Sequence, residues 1–388
     1  MSILKRNATT VLLEKAKSYP VVVITGPRQS GKSTLSRLLF PQKIYISLED
    51  LDHRQFALED PRGFLAQFPE GAILDEVQHA PDLFSYIQTI VDEKFKPGMF
   101  VFTGSQQFGL TAKITQSLAG RAGFIQLLPF TINELKMGHA LPEKLEELLF
   151  KGSYPPVYDR NIAPQSWYGD YVLTYLERDI RQLINVQDLR TYHRFLQMCA
   201  ARTGQMLNLS SLANDCGISH NTAKSWISVL EASYIVFLIS PHFNNYNKRL
   251  VKSPKLYFYD TGLVCLLTNI QKAEQITTHS MRGALFETLV ASELIKERFN
   301  QGRLSNLYFW RDSQNHEVDF ILEEGEKLIP VEVKSGQTIT NDYFSGIQYW
   351  ESLSQQKGNG KLIYAGTQNF QRNNIDILGW QNMDSANT

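Results

Sequence analysis

Residues 26–34 read GPRQSGKST, with two glycines five positions apart and a lysine, a serine and a threonine directly behind the second. Such spacing lets backbone N–H groups converge on a phosphate, and the helix that begins there adds its partial positive charge. Gly26, Pro27, Arg28, Gln29, Ser30 and Gly31 would form the cradle, with Lys32 bridging β- and γ-phosphates. The Ser33 hydroxyl would ligate Mg²⁺, and Thr34 continues the helix. A working cradle needs a second strand that ends in an acid, and GAILDE (71–76) supplies one. There Asp75 would hold the metal through water, and Glu76 would orient and deprotonate an attacking water. A DE pair at a strand end can also be plain solvated polarity; behind a phosphate cradle it reads as hydrolytic chemistry rather than small-molecule kinase chemistry.

Two further places in the front third could touch the γ-phosphate. MFVFTGS (99–105) ends in hydroxyls, so Thr103 or Ser105 could sense it from the adjacent strand, or simply make a Ser/Thr turn. Arg121, in a Gly-flanked loop, suits an arginine finger aimed at a neighbouring subunit's nucleotide and equally suits an ordinary loop arginine.

A second constellation lies near the C-terminus. HEVDFILEEGEKLIPVEVKSG (316–336) alternates as two strands joined by the acidic turn EEGEK, with twelve residues between Asp319 and Glu332. Lys334 follows Glu332 by two positions, and ALFETLVASELIKE (284–297) reads as an amphipathic helix bearing Glu287. This is the D…E-x-K pattern of restriction-endonuclease-like folds. Asp319 and Glu332 would bind Mg²⁺, Lys334 would position water, and Glu287 would help from the helix, with Ser335 and Gln337 as polar support. Carboxylates ~4 Å apart repel by about 4 kcal/mol at a protein-like effective dielectric, so convergence would require a cation or Lys334 to compensate. The alternative is that both acids point to solvent.

These groups need elements to hold them. Four β-branched residues at 21–24 make a buried parallel strand before the cradle, and STLSRLLF makes the helix after it. In WYGDYVLTYLERDIRQLI, Tyr171, Leu173, Tyr175, Leu176, Ile180 and Leu183 recur at helical steps; Arg178 and Arg181 beside them could reach a γ-phosphate from a lid, or be solvated. LSSLANDCGISHNTAKSWISVLE (209–231) fits a helix-turn-helix: Gly217 turns, Ser219 caps, and Asn221, Thr222, Lys224 and Ser225 face outward. YIVFLI and LYFY then form a wing hairpin with Lys248, Arg249, Lys252 and Lys255 around it. The unit could read DNA, or serve as a lid or an oligomer contact.

The run GPRQSGKST, ILDEVQHAPDLF, FVFTGSQQ and SLAGRAGFIQLLPFTINEL resembles the AAA+-type P-loop ATPases of bacteria and archaea that carry a C-terminal domain of unknown function. GSYPPVY, YVLTYLERDI, SPKLYFYDTGL, RGALFETLVASEL and EVDFIL…VEVK extend the resemblance over nearly the whole chain. It implies ATP and Mg²⁺ as cofactors, an α/β ATPase core, a winged helix and a nuclease-like tail. We therefore expect an α/β protein with a P-loop ATPase domain at 1–135, a helical lid or linker at 136–200, a winged helix-turn-helix at 201–270 and a nuclease-like α/β domain at 271–380.

Composition narrows the partners. The 388 residues can bury two or three independent cores, and 39 basic against 39 acidic residues argue against coating nucleic acid by bulk charge. Cys199, Cys216 and Cys265 are too few and scattered for a disulfide framework or zinc site, which fits buried thiols in a reducing compartment. No signal-peptide run or membrane span stands out, so the expectation is a cytoplasmic protein with ATP as ligand and DNA or further copies of itself as candidate partners. The polar terminus QNMDSANT is expected to fray.

Overall fold

A computed structural model describes residues 3–105, 114, 116–160, 162–176, 188–242, 253–354, 356 and 358–387. Its front third is an α/β layer built on five parallel strands, β1 (Val21–Thr25), β2 (Ile44–Ser47), β3 (Ala72–Asp75), β4 (Phe100–Gly104) and β5 (Ala122–Gln126), in the order β2-β3-β4-β1-β5. β1, β3 and β4 are buried along their whole length, as continuous apolar runs in a doubly covered parallel sheet must be. Helices pack on both faces and make two separate cores, one around Phe84, Phe100 and Phe102, the other around Leu12, Ile24 and Leu35. Because the strands run in parallel, their carboxyl ends bring residues 26, 75, 76 and 105 to one edge, where open α/β sheets place their ligands.

The middle begins with short helices. Pro164–Tyr171 runs into a π-helical turn, Val172–Leu176, that shifts the register, so Leu173 is 59% exposed rather than part of the expected buried stripe. Arg178, Ile180, Arg181 and Leu183 lie outside the described residues. Helix Leu209–Cys216 ends on Gly217 at φ 69°, and helix His220–Ala232 is capped by Ser219, whose hydroxyl accepts from Thr222 N–H at 3.0 Å. Asn221, Lys224 and Ser225 are exposed on the second helix. β6 (Gln205–Met206), β7 (Val236–Ile239) and β8 (Lys255–Phe258) form an antiparallel sheet ordered β6-β8-β7.

The C-terminal part follows the order helix Arg282–Asn300, then β9 (Leu307–Arg311), β10 (Glu317–Glu324) and β11 (Lys327–Lys334), helix Ser345–Ser354, and β12 (Lys361–Tyr364), β13 (Phe370–Arg372) and β14 (Ile375–Gly379). Its mixed sheet is ordered β13-β14-β12-β11-β10-β9. Middle and tail share their main core, and the tail adds two smaller clusters of its own, around Phe344 and Ile347 and around Val318 and Trp350. One continuous cluster runs from Leu128 to Ala386, and Ser240–His242 extends the middle sheet onto β9, with His242 N–H donating to Phe309 O at 2.6 Å. The polar terminus, expected to fray, is packed at Met383 and Ala386. Trp380, Met383 and Ala386 are all buried, on short 3₁₀ turns that kink at Asn382. All three cysteines are free and buried, and among the described residues no helix is long and apolar enough to cross a membrane.

Candidate functional site

The phosphate loop closes β1 against its helix, Lys32–Leu39. Gly26 sits at φ 148° with Leu127 O only 2.1 Å from where a Cβ would stand, and Gly31 caps the helix at φ 92°, so both positions demand glycine. Lys32 is buried, and its Nζ donates to Gly26 O at 3.0 Å and Pro27 O at 2.8 Å. Burial pulls its ammonium below the usual range, and Glu76 and Asp75 pull in the other direction. The Ser33 hydroxyl donates to both Asp75 oxygens, at 3.0 and 2.9 Å. Thr103 Oγ1 and the Tyr45 hydroxyl donate to the same carboxylate. Burial, then the bond to Asp75, pushes the Tyr45 hydroxyl pKa well up and keeps it a donor.

Glu76 follows β3 in the left-handed region at φ 52°, a conformation that non-glycine residues hold only when the surroundings impose it. Ser105 Oγ donates to its Oε2 at 3.0 Å, and Gln78 donates to the same oxygen. Burial raises this carboxyl, but Lys32 and Arg28 outweigh it and hold Glu76 below the ordinary value. Of the two hydroxyls open to a sensor role, Thr103 thus serves Asp75 and Ser105 serves Glu76. Gln29 Nε2 donates to Tyr175 OH at 2.9 Å, and Arg28 pairs with Glu49 at 3.2 Å and lies over the Tyr175 ring. A cavity of about 370 Å³ opens over these groups, and Arg160 joins its wall from the middle. Tyr45, Gln78, Tyr175 and Arg160 are members of the site that sequence reasoning missed. Only Tyr45 carries a local signal, the alternating strand IYIS.

Arg121 is not brought to this site. It precedes β5 at the amino-terminal edge of the sheet, opposite the phosphate loop, and its Nη2 donates to Asp92 at 2.8 Å. Within one chain, sheet direction alone keeps it from the loop.

The tail does gather its expected residues. β10 and β11 pair antiparallel with Phe320 opposite Val331, which sets Asp319 beside Glu332 and lets Val333 N–H donate to Asp319 Oδ2 at 2.8 Å. Lys334 Nζ bonds Glu332 Oε1 at 2.5 Å, while Glu332 Oε2 is buried without a hydrogen-bond partner. The unexpected member is Lys255. Far from holding phosphates on a wing, it is buried in β8, bonds Glu287 at 3.2 Å and pairs also with Glu317; Tyr257 OH donates to Glu287 at 2.5 Å. Lys248, Arg249 and Lys252 lie outside the described residues. Asp319 and Glu332 were expected as metal ligands. Among the described residues no group of three or more His, Cys, Asp or Glu side chains is placed to hold a metal ion, and Lys255 and Lys334 pair with the surrounding carboxylates.

Burial dominates the tail carboxyls. It lifts Glu332 to about 8 and Glu287 to about 7, with Asp319 adding to both, and it raises Asp319 itself. From about pH 4.5, where an unfolded glutamate ionises, to about 8, Glu287 and Glu332 therefore hold more protons in the folded than in the unfolded chain. Their contribution to stability falls as pH rises through that window. Glu332→Gln keeps the shape without the charge and is expected to stabilise the protein by roughly 1–3 kcal/mol at pH 8 and to change little at pH 4.5. Urea unfolding at the two pH values checks this, and equal effects at both would contradict it.

An AAA domain model matches residues 18–136, and models for two domains of unknown function, DUF8612 and DUF4143, match 142–274 and 282–383. The front third is thus an AAA-type P-loop ATPase domain. The chain is similar to a solved structure, the Walker-type ATPase PABY2304 of Pyrococcus abyssi, at 16% identity and TM-score 0.46 over 68% of this chain and 96% of that one. It is 31% identical over 343 residues to the uncharacterized proteins Rv2008c of Mycobacterium tuberculosis and Mb2031c of Mycobacterium bovis, covering 87% of this chain and 75% of each of theirs. The chain accordingly belongs to the same family as these two mycobacterial proteins, an AAA domain followed here by two domains whose function is unknown.

Proposed function

We propose that this chain is a magnesium-dependent ATPase whose nucleotide state governs its middle and tail. One observation carries the reading: Ser33 Oγ and Asp75, from separate elements, meet at 2.9–3.0 Å beneath a cavity that Lys32 and Glu76 also line. A hydroxyl and a carboxylate are hard oxygen donors that fit Mg²⁺, which when bound with ATP would neutralise phosphate charge. Lys32, now on two loop carbonyls, would transfer its N–H groups to phosphate oxygens. Glu76 would orient and deprotonate the attacking water, with Ser105 fixing its carboxylate. Arg28 and Arg160 add positive charge at the rim, and Arg121 would act only on another copy's nucleotide. Calorimetric titration with ATP·Mg²⁺ tests this: the wild type binds, and Lys32→Ala is expected to lose about 10- to 100-fold in affinity, since charge-assisted bonds contribute about 1.5–3 kcal/mol each. A wild type that binds no ATP ends the reading.

For the tail, the helix–three strands–helix–strand order, with Asp319, Glu332 and Lys334 on adjacent strands, supports a restriction-endonuclease-like shell. The ion pairs that Lys255 makes with Glu287 and Glu317 favour a non-cleaving form of it. On this second reading the tail and the helix-turn-helix-like middle, with Asn221, Lys224 and Ser225 exposed, mediate binding to DNA or protein. ATP hydrolysis would then switch that binding rather than drive cleavage.

A further inference from the structure

Arg6 is buried ahead of helix Thr9–Ser18, and its guanidinium reaches three separate places. Its Nη1 donates to Ser30 O at 2.8 Å, its Nη2 to Leu128 O at 2.5 Å, and its Nε to Glu134 Oε1 at 3.1 Å. The acceptors behind it are held in their turn. Glu134 also accepts from Asn7 N–H at 2.7 Å and from Thr131 N–H at 2.9 Å. From the far side, Glu293 and Lys296 of the tail helix Arg282–Asn300 bond Ile132 N–H at 2.7 Å and Phe130 O at 3.0 Å. Two arms of the guanidinium are thus locked to the stretch 128–134, and the third grips the phosphate loop.

Ser30 offers little else to hold. Its hydroxyl is buried without a hydrogen-bond partner, and its N–H reaches Pro27 O only at 3.4 Å. The next residue is Gly31 at φ 92°, and a peptide that leads into glycine can flip at little steric cost. Direction matters here. Across a trans peptide the C=O and the following N–H point to opposite sides, so Ser30 O on Arg6 sends Gly31 N–H the other way. Gly31 borders the cavity of about 370 Å³ over Lys32 and Asp75, and Arg6 does not. A flip would replace a donor with a carbonyl oxygen on the side where an anion binds.

We propose that Arg6 is a positioning residue of the phosphate loop: its bond to Ser30 O holds the Ser30–Gly31 peptide so that Gly31 N–H faces the phosphates of the bound nucleotide. The proposal rests on the ATP reading above and adds to it the group that fixes which way one peptide of the cradle points. Arg6 touches no phosphate itself. It acts through a backbone carbonyl, and it can do so because its own planar fork is fixed on Leu128 O and Glu134 and stands over the Phe130 ring at 5.0 Å. Lysine could not hold three such acceptors in one plane.

The test uses two variants of the full chain, Glu134→Gln alone and Glu134→Gln combined with Arg6→Met, so that no buried carboxylate is left without its cation. Calorimetry with inorganic tripolyphosphate and with ATP, each with Mg²⁺, reads affinity, and urea unfolding reads stability. Glu134→Gln is expected to stay within about twofold of the wild type for both ligands, because Arg6 still holds Ser30 O. Adding Arg6→Met should cost roughly tenfold for both, since the misdirected donor faces phosphate and not the base. A residue that only ties the fold together would lower the urea midpoint and leave the affinity of the folded chain alone. Affinities of the double variant within about twofold of Glu134→Gln would therefore overturn the proposal, as would a loss confined to ATP. If the double variant does not fold, Arg6→Lys, which keeps a charge beside Glu134 without the fork, is read against the wild type by the same criteria. A wild type that binds neither ligand removes the ATP reading itself, and this role with it.

Discussion

Glu76→Gln is expected to lower steady-state ATP turnover by about two to four orders of magnitude, the range a positioned general base contributes, while leaving ATP affinity nearly unchanged. The substitution is clean because the environment is already built for the shape. The oxygen that accepts from Ser105 and Gln78 survives as an amide oxygen, and the left-handed backbone at φ 52° is no worse for Gln than for Glu. What disappears is charge and basicity. Lys32 and Arg28 outweigh burial and hold the native carboxyl below its ordinary value, so Glu76 is ionised across the neutral range without help from bulk water. A loss confined to kcat assigns Glu76 to the transition state, whereas a matching loss in ATP affinity assigns it to ground-state binding. Turnover that survives the change would overturn the role given to Glu76. Coupled-enzyme kinetics beside calorimetric binding separates these outcomes.

How much of this is legible in the sequence depends on how local the physics is. The loop from Gly26 to Thr34 is a chain-local device in which glycine φ, helix start and side-chain order all lie within nine residues. Its chemistry is therefore legible, as is the DE pair behind an apolar strand. Asp319, Glu332 and Lys334 were legible for a related reason: period-two alternation and a short turn fix which residues of a hairpin become neighbours. Lys255 was not. In the sequence it closes a run of basic residues and looks like a solvated wing cation; its burial is decided by β8 lying at the centre of its sheet, against a helix that begins 27 residues later. Leu173 departs from the expected stripe for the opposite reason, because a π turn interrupts the 3.6-residue period. At the terminus, polar composition concealed Trp380, Met383 and Ala386, which are buried from short 3₁₀ turns that kink at Asn382. The shared core of middle and tail follows from strand contacts between distant segments, which no window of the sequence displays.

Lys255→Met is expected to destabilise the protein by about 3–5 kcal/mol at pH 8, the usual cost of stripping one partner from a buried ion pair. Methionine retains most of the stem's packing, so the loss reports charge rather than volume. Three acidic groups depend on that ammonium: Glu287 and Glu317 touch it, and the charge of Asp319 is among the causes that raise its pKa. Without it, Glu287 and Asp319, already raised chiefly by burial, are left facing each other across the helix and β10. Protonation offers them an escape. With Glu287 near 7 even in the intact protein, and higher once the lysine is gone, that carboxyl is largely protonated at pH 5. The destabilisation should therefore shrink to roughly 1–2 kcal/mol there. Urea unfolding at both pH values measures the difference, and an equal loss at each would reduce Lys255 to a packing residue. A loss that grows with pH makes it the internal counter-ion of the cluster. The carboxylates that sequence spacing suggests for a metal would then already have their cation, supplied from the middle sheet of the same chain.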